Sequence, residues 1–194
     1  MLIYIININI IVSTLYIFFT YVSLEPNKFL SSLIWLYQPY SIETSILFLA
    51  HGIRVIGTML WGYLIYPGIF IGQIITGYLF FNLQLFSDIN LTLSMCSLLP
   101  FPLVSYALFK SIKGVDFEKI QLKNIFLVAI LSSLLSSYFS TSYKNFIEPR
   151  DNLSFFSEAS NFIIGDVLGA IVLFYIVIWI YRSINLIRKK IIFK

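Results

Sequence analysis

The sequence predicts an all-α fold, a polytopic membrane helix bundle of about six transmembrane helices. Three observations lead there. Of 194 residues, 59% are hydrophobic and only 11% are charged, against roughly 25% charged in soluble domains. That much Leu, Ile and Phe cannot be hidden inside a water-soluble protein of this size. The apolar residues also come in runs about as long as a ~30 Å hydrocarbon core requires of a helix. Finally, the runs do not alternate polar with apolar, which favours helices over a barrel among the two folds that satisfy backbone groups in lipid.

The spans are expected near 2–24, 43–62, 65–86, 91–109, 123–143 and 161–182, within a single integral membrane domain covering 1–194. The first, Leu2–Leu24, has no basic segment ahead of it and no small-residue cleavage signal after it. It reads as a retained span and not a removed signal peptide. Asn7 and Asn9 make it slightly polar, and both are expected to face other helices. The stretch 28–42 is too short and broken to cross, and reads as an interfacial or re-entrant piece. Spans two and three are joined by a tight turn around Trp61–Tyr66. Pro100 and Pro102 interrupt span four, where a missing backbone donor predicts a kink. Span five carries Ser132, Ser133, Ser136, Ser137, Ser140, Thr141 and Ser142, a narrow hydroxyl stripe. It would bond backbone or a neighbouring helix, or line a solute path. Cys96, the sole cysteine, reads as a small buried apolar side chain.

Orientation follows from the cations. Lys110, Lys113, Lys119 and Lys123 cluster in one loop, and Arg182, Arg188, Lys189, Lys190 and Lys194 in the tail. Positive segments stay in the cytoplasm. Both termini are therefore expected inside. Aromatic residues agree: Trp35, Tyr37 and Tyr40 on the outer side, and Trp61, Tyr63, Tyr66, Trp179 and Tyr181 on the inner. The net charge of +4 thus reads as topology, and no nucleic-acid partner is expected.

Three ionisable residues fall inside spans: His51 and Arg54 in span two, and Asp166 in span six. An intramembrane Arg costs at least about 2.5–3.5 kcal/mol by insertion scales, so such groups face the protein interior and find a partner. His51 and Arg54, three residues apart, share one helix face. Counting about 1.5 Å per residue, Arg54 lies about 17 Å, His51 about 12 Å and Asp166 about 8 Å from the outer start of its span. We expect Arg54 to pair with Asp166, with His51 adjacent, around an outward-facing ligand-binding pocket. The plainer reading is an ion pair that fixes helix packing. One histidine makes a poor metal site, and none is expected. Gly68 and Gly72, like Gly165 and Gly169, are four apart and mark close helix crossings. Nothing resembles a catalytic set, and no enzyme activity is expected. Glu43 and Glu158 sit near outer helix starts, where negative charge suits the helix dipole.

The segments AHGIRVIGTMLWGYLIYPGIFIGQ (Ala50–Gln73) and IIGDVLGAIVLFY (Ile163–Tyr175) together resemble the MASE-type membrane-associated sensor domains of bacteria. The likeness rests on Gly52, Pro67, Gly68, Gly72, Gly165, Asp166 and Gly169. It covers about 40 residues, with fewer spans than is usual and no output domain. It implies a stand-alone, multi-pass sensory or ligand-binding module of the bacterial inner (plasma) membrane, with the lipid bilayer and a separate signalling protein as partners. The rival reading is a small-solute transporter component. Size, span number and termini resemble the substrate-binding subunits of energy-coupling-factor importers, whose partner is a transport ATPase. Neither resemblance names a ligand or cofactor.

Overall fold

The computed structural model describes residues 2–33, 48–81, 100–111, 122–147 and 152–192. These residues are helical almost throughout: α1 (Leu2–Leu33), α2 (Leu49–Trp61), a 3-10 turn (Gly62–Ile65), α3 (Tyr66–Phe81), α4 (Phe101–Ser111), α5 (Leu122–Ile147) and α6 (Asn152–Ile192). Among them, four runs are long and apolar enough to cross a membrane: Leu2–Leu24, Leu49–Phe80, Leu122–Tyr143 and Ala159–Ser183.

The run Leu49–Phe80 is not one straight span. At its start, the Leu49 N–H donates to Ser23 Oγ at 2.9 Å. Mid-run, Asn9 Nδ2 donates to Leu64 O at 2.9 Å and the Gly68 N–H donates to Asn9 Oδ1 at 2.6 Å. At its end, the rings of Phe80 and Tyr21 stand 5.7 Å apart. Both ends therefore lie beside one level of α1, and the middle beside another, about 20 Å away at 1.5 Å per residue. α2 descends antiparallel to α1 and α3 returns parallel to it. The reversal sits at Gly62, whose φ of 59° and ψ of −134° belong to a turn conformation that side-chain-bearing residues avoid. The turn between the second and third expected spans is thus where the sequence placed it. The Asn9 side chain then satisfies the Gly68 N–H, one of the orphan donors in the first turn of α3.

Other expectations need correction. α1 runs unbroken to Leu33, so the beginning of the 28–42 stretch continues the first helix; residues 34–47 lie outside the described residues, as do Trp35, Tyr37 and Tyr40. Asn9 faces the hairpin as expected, but Asn7 is exposed. Pro100 and Pro102 stand at the start of α4 and not within its later turns. Pro100 precedes α4, accepting the Val104 N–H at 2.9 Å, and Pro102 falls in its first turn, where the missing donor costs nothing. α4 has 11 residues, about 16 Å, too short to cross alone; residues 82–99, with most of the expected fourth span and Cys96, lie outside the described residues. α6, with 41 residues, extends past the expected sixth span at both ends.

α2 is the central element. Every residue from Leu49 to Thr58 is buried. α6 runs parallel to it: Phe48 N donates to Gly165 O at 3.0 Å, and Gly52 faces Ala170 and Leu173. α5 lies antiparallel to α6, with Ser137 Oγ donating to Ala159 O. The outer surface is apolar. Ile3, Ile10 and Phe18 on α1, and Ile164, Leu168, Val172, Tyr175 and Trp179 on α6, are exposed. On α6 they recur every three to four residues, an exposed apolar stripe down one face of a helix long enough to cross a membrane. Because Gly52 is level with Ala170–Leu173 on parallel helices, Trp61 and Tyr63 come level with Trp179 and Tyr181 one further stretch along. Tyr63 and Trp179 are each 70% exposed, so one end of the bundle carries an aromatic collar.

Candidate functional site

The three ionisable residues singled out from the sequence come together in the centre of the bundle. His51 is 0%, Arg54 3% and Asp166 2% exposed. Their register is set by backbone contacts at the mouth of α2. Phe48 N–H is held by Gly165 O, and Phe48 O presses on Gly169, where a Cβ would come within 2.1 Å. Only glycine permits that approach. It brings the start of α2 against α6, with His51 one turn below and Asp166 one residue beyond Gly165.

The pairing differs from the expected one. The Asp166 carboxylate takes His51, not Arg54: Nδ1 and Oδ2 are 3.2 Å apart. The contact is close but unaligned, and neither atom makes a well-directed hydrogen bond. His51 Nε2 meets Ser132 Oγ of α5 at 3.0 Å. Arg54 turns instead to α1, donating from Nη2 to the Tyr16 hydroxyl at 3.0 Å. Its guanidinium carbon sits 5.6 Å from the ring centres of both Tyr16 and Phe48, within cation–π range. One turn on, Thr58 Oγ1 donates to Arg54 O and meets the Tyr66 hydroxyl at 3.2 Å. Four helices thus supply the cluster: α1 (Tyr16), α2 (His51, Arg54), α5 (Ser132) and α6 (Asp166).

The energetics are unbalanced. Arg54 Nε and Nη1 are buried without a hydrogen-bond partner. An unsatisfied buried donor costs about 1–3 kcal/mol, more when charged. Aromatic faces compensate part of this, at about 2 kcal/mol when desolvated. A structural ion pair would have satisfied the guanidinium through the carboxylate; here both keep unused capacity.

Tyr16 and Ser132 were missed by sequence reading. Tyr16 falls among the aromatic residues of an apolar span, with nothing to single it out. Ser132 belonged to the noted stripe, but which hydroxyl would meet His51 depends on the rotation of α5. Within that stripe Ser132, Ser133, Ser136, Ser137, Ser140 and Thr141 are all buried. Thr141 bonds Ser137 O of its own helix, whereas Ser133 and Ser136 Oγ have no partner.

The glycines serve packing in different ways. A Cβ at Gly68 would meet Asn9 O at 2.5 Å, and one at Gly72 would meet the Tyr16 side chain at 3.1 Å. Gly165 contributes its carbonyl to Phe48. Among the described residues, no three His, Cys, Asp or Glu side chains gather as a metal site. His51 and Asp166 are two donors where zinc takes roughly three or four. Comparison of the chain with family models, with curated proteins and with solved structures found no match.

Proposed function

We propose that the chain is an integral membrane sensory or ligand-binding module, and that its ligand presents an anionic, acceptor-rich group to Arg54. The observation that carries this is the pair of buried guanidinium nitrogens, Nε and Nη1, left without acceptors while the cluster's carboxylate lies against His51 instead. A carboxylate or phosphate oxygen would supply the missing charge-assisted hydrogen bonds. Helix packing alone would not favour that arrangement, because an incompletely satisfied buried charge is worse than an apolar contact. The glycines of the MASE-type resemblance, Gly52, Gly165 and Gly169, lie where α2 and α6 meet, so that motif would serve to seat the cluster. The aromatic collar shares its end of the bundle with Arg182 and the start of α5 at Lys123. This supports a cytoplasmic placement for that end by the positive-inside rule, in a bacterial inner membrane.

The test is mass spectrometry of small molecules released from gently purified protein, wild type against Arg54→Gln. A bound anion present in the wild type and lost in the variant supports the reading. Anion retention in Arg54→Gln defeats it.

A transport role draws on α5. Ser133 and Ser136 are buried with unpartnered hydroxyls, adjoining the Ser132 that touches His51, and such groups suit a solute path. Co-purification distinguishes the two: an ATPase for a transport subunit, a kinase or cyclase for a sensor.

A further inference from the structure

His51 stands between two oxygens, Ser132 Oγ at 3.0 Å from Nε2 and Asp166 Oδ2 at 3.2 Å from Nδ1. Ser132 Oγ has one hydrogen and donates it to Ala129 O at 3.1 Å, the back-bonding habit of a helical serine. With that hydrogen on Ala129 O, its contact with His51 Nε2 at 3.0 Å needs the hydrogen on Nε2; were Ser132 to donate to the ring instead, the ring hydrogen would sit on Nδ1. A neutral imidazole has only one N–H, so with Nε2 hydrogenated Nδ1 would be bare. Yet Nδ1 lies 3.2 Å from Asp166 Oδ2, and an unprotonated ring nitrogen that close to an ionised carboxylate oxygen is electrostatically unfavourable even where the two are not aligned. One additional proton removes the conflict, as an imidazolium beside a carboxylate or as a neutral imidazole beside a carboxylic acid.

We propose that the His51–Asp166 pair is a buried proton-binding site, taking one exchangeable proton from the aqueous phase between Nδ1 and Oδ2. The proposal rests on the ligand-binding reading only for its consequence. With the proton, pair and guanidinium together carry one net positive charge, which an anion at Arg54 would neutralise. Without it, Arg54 and Asp166 already cancel, and an anion would enter uncompensated. Anion and proton would then bind together, the affinity for the anion falling by up to about tenfold per pH unit once the proton is lost.

Among the described residues, no second carboxyl faces the pair. Facing the pair are Arg54 on its own helix, Tyr16 from α1 and the non-titrating Ser132 from α5. Tyr66 of α3 contacts Thr58, farther along α2. On α4, Lys110 is exposed and sits 5.9 Å from the Tyr106 ring. Lys123 of α5 and Arg182 of α6 are exposed toward the ends of their helices.

His51 is the single histidine of the chain, so its ring nitrogens give an unambiguous ¹⁵N spectrum in the full-length protein in lipid nanodiscs. The test is that spectrum with the ¹³C carboxyl signal of Asp166, from about pH 5 to about pH 8, for wild type and Asp166→Asn. The proposal expects a hydrogen on Nε2 throughout. It also expects one more bound proton per chain in the wild type than in Asp166→Asn, seen as an imidazolium or a protonated carboxyl. A ring hydrogenated on Nδ1 and bare on Nε2, beside an ionised Asp166 across the range, overturns it; Ser132 would then be donating to the ring. The spectrum needs no ligand. Loss of the anion reading therefore leaves this result standing, and the reverse holds.

Discussion

Gly169→Ala probes the contact that seats the whole cluster. The added Cβ would lie 2.1 Å from Phe48 O, 2.4 Å from Phe48 C and 2.9 Å from Leu49 N. All three are backbone atoms, so no side chain can swing aside. Ordinary contact begins near 3.4 Å, and the mouth of α2 must back away from α6 by roughly 1 Å. Two tethers oppose that movement, the Phe48–Gly165 and Leu49–Ser23 hydrogen bonds. Overpacking of this kind costs about 1–3 kcal/mol, and loss of one buried hydrogen bond about 1 kcal/mol more. The gain in helix propensity from Gly to Ala, about 0.5–1 kcal/mol, offsets only part. The expected net is about 1–3.5 kcal/mol, or roughly 2–14 °C in apparent melting temperature for a chain of this length. Thermal unfolding of detergent-solubilised protein measures it. Gly72→Ala is the milder comparison: its Cβ would meet Tyr16 Cβ and Cδ1 at 3.1 Å and Ser13 O at 3.3 Å, a crowding of a few tenths of an ångström against more than 1 Å at Gly169, so its cost should be the smaller. A Gly169→Ala protein as stable as wild type, or a Gly72→Ala protein that is the worse of the two, would refute the reasoning.

Asn9→Leu removes the acceptor of Gly68 N–H and the donor to Leu64 O. It should destabilise by about 2–6 kcal/mol through two stranded backbone groups at about 1–3 kcal/mol each, measured by the same melts. Tyr16→Phe keeps the ring beside Arg54 but deletes the hydroxyl that accepts from Nη2. A charged hydrogen bond of about 1.5–3 kcal/mol is lost, and an unchanged melting temperature would argue against the contact. Gly62→Ala places a Cβ in open space but at φ 59°. It should cost about 1–3 kcal/mol from backbone strain alone, whereas Gly62→Asn, which tolerates positive φ better, should cost less in the same melts.

Hydropathy along the chain was enough to foresee helices, several of them long and apolar enough to cross a membrane, a reversal near Trp61–Tyr66, and burial of His51, Arg54 and Asp166 together. Each of these depends on the cost of moving a stretch of residues between water and hydrocarbon, which accumulates residue by residue and needs no partner to be known. The glycine spacing at Gly165 and Gly169 likewise announced a close approach without saying to what. Run length misled where its meaning depends on neighbours. The stretch from residue 28 was read as a separate piece, yet α1 continues through its beginning to Leu33.

Partner choice was decided only in three dimensions. That Asp166 meets His51, that Arg54 meets Tyr16, and that Ser132 among six buried hydroxyls touches the ring all follow from the rotation of four separate helices about their axes. A rotation of one residue, about 100°, would exchange every one of these contacts while leaving composition, spacing and hydropathy untouched. The amino-acid order determines which groups must leave water; the packing of α2 against α1, α5 and α6 determines which of them then share a hydrogen bond.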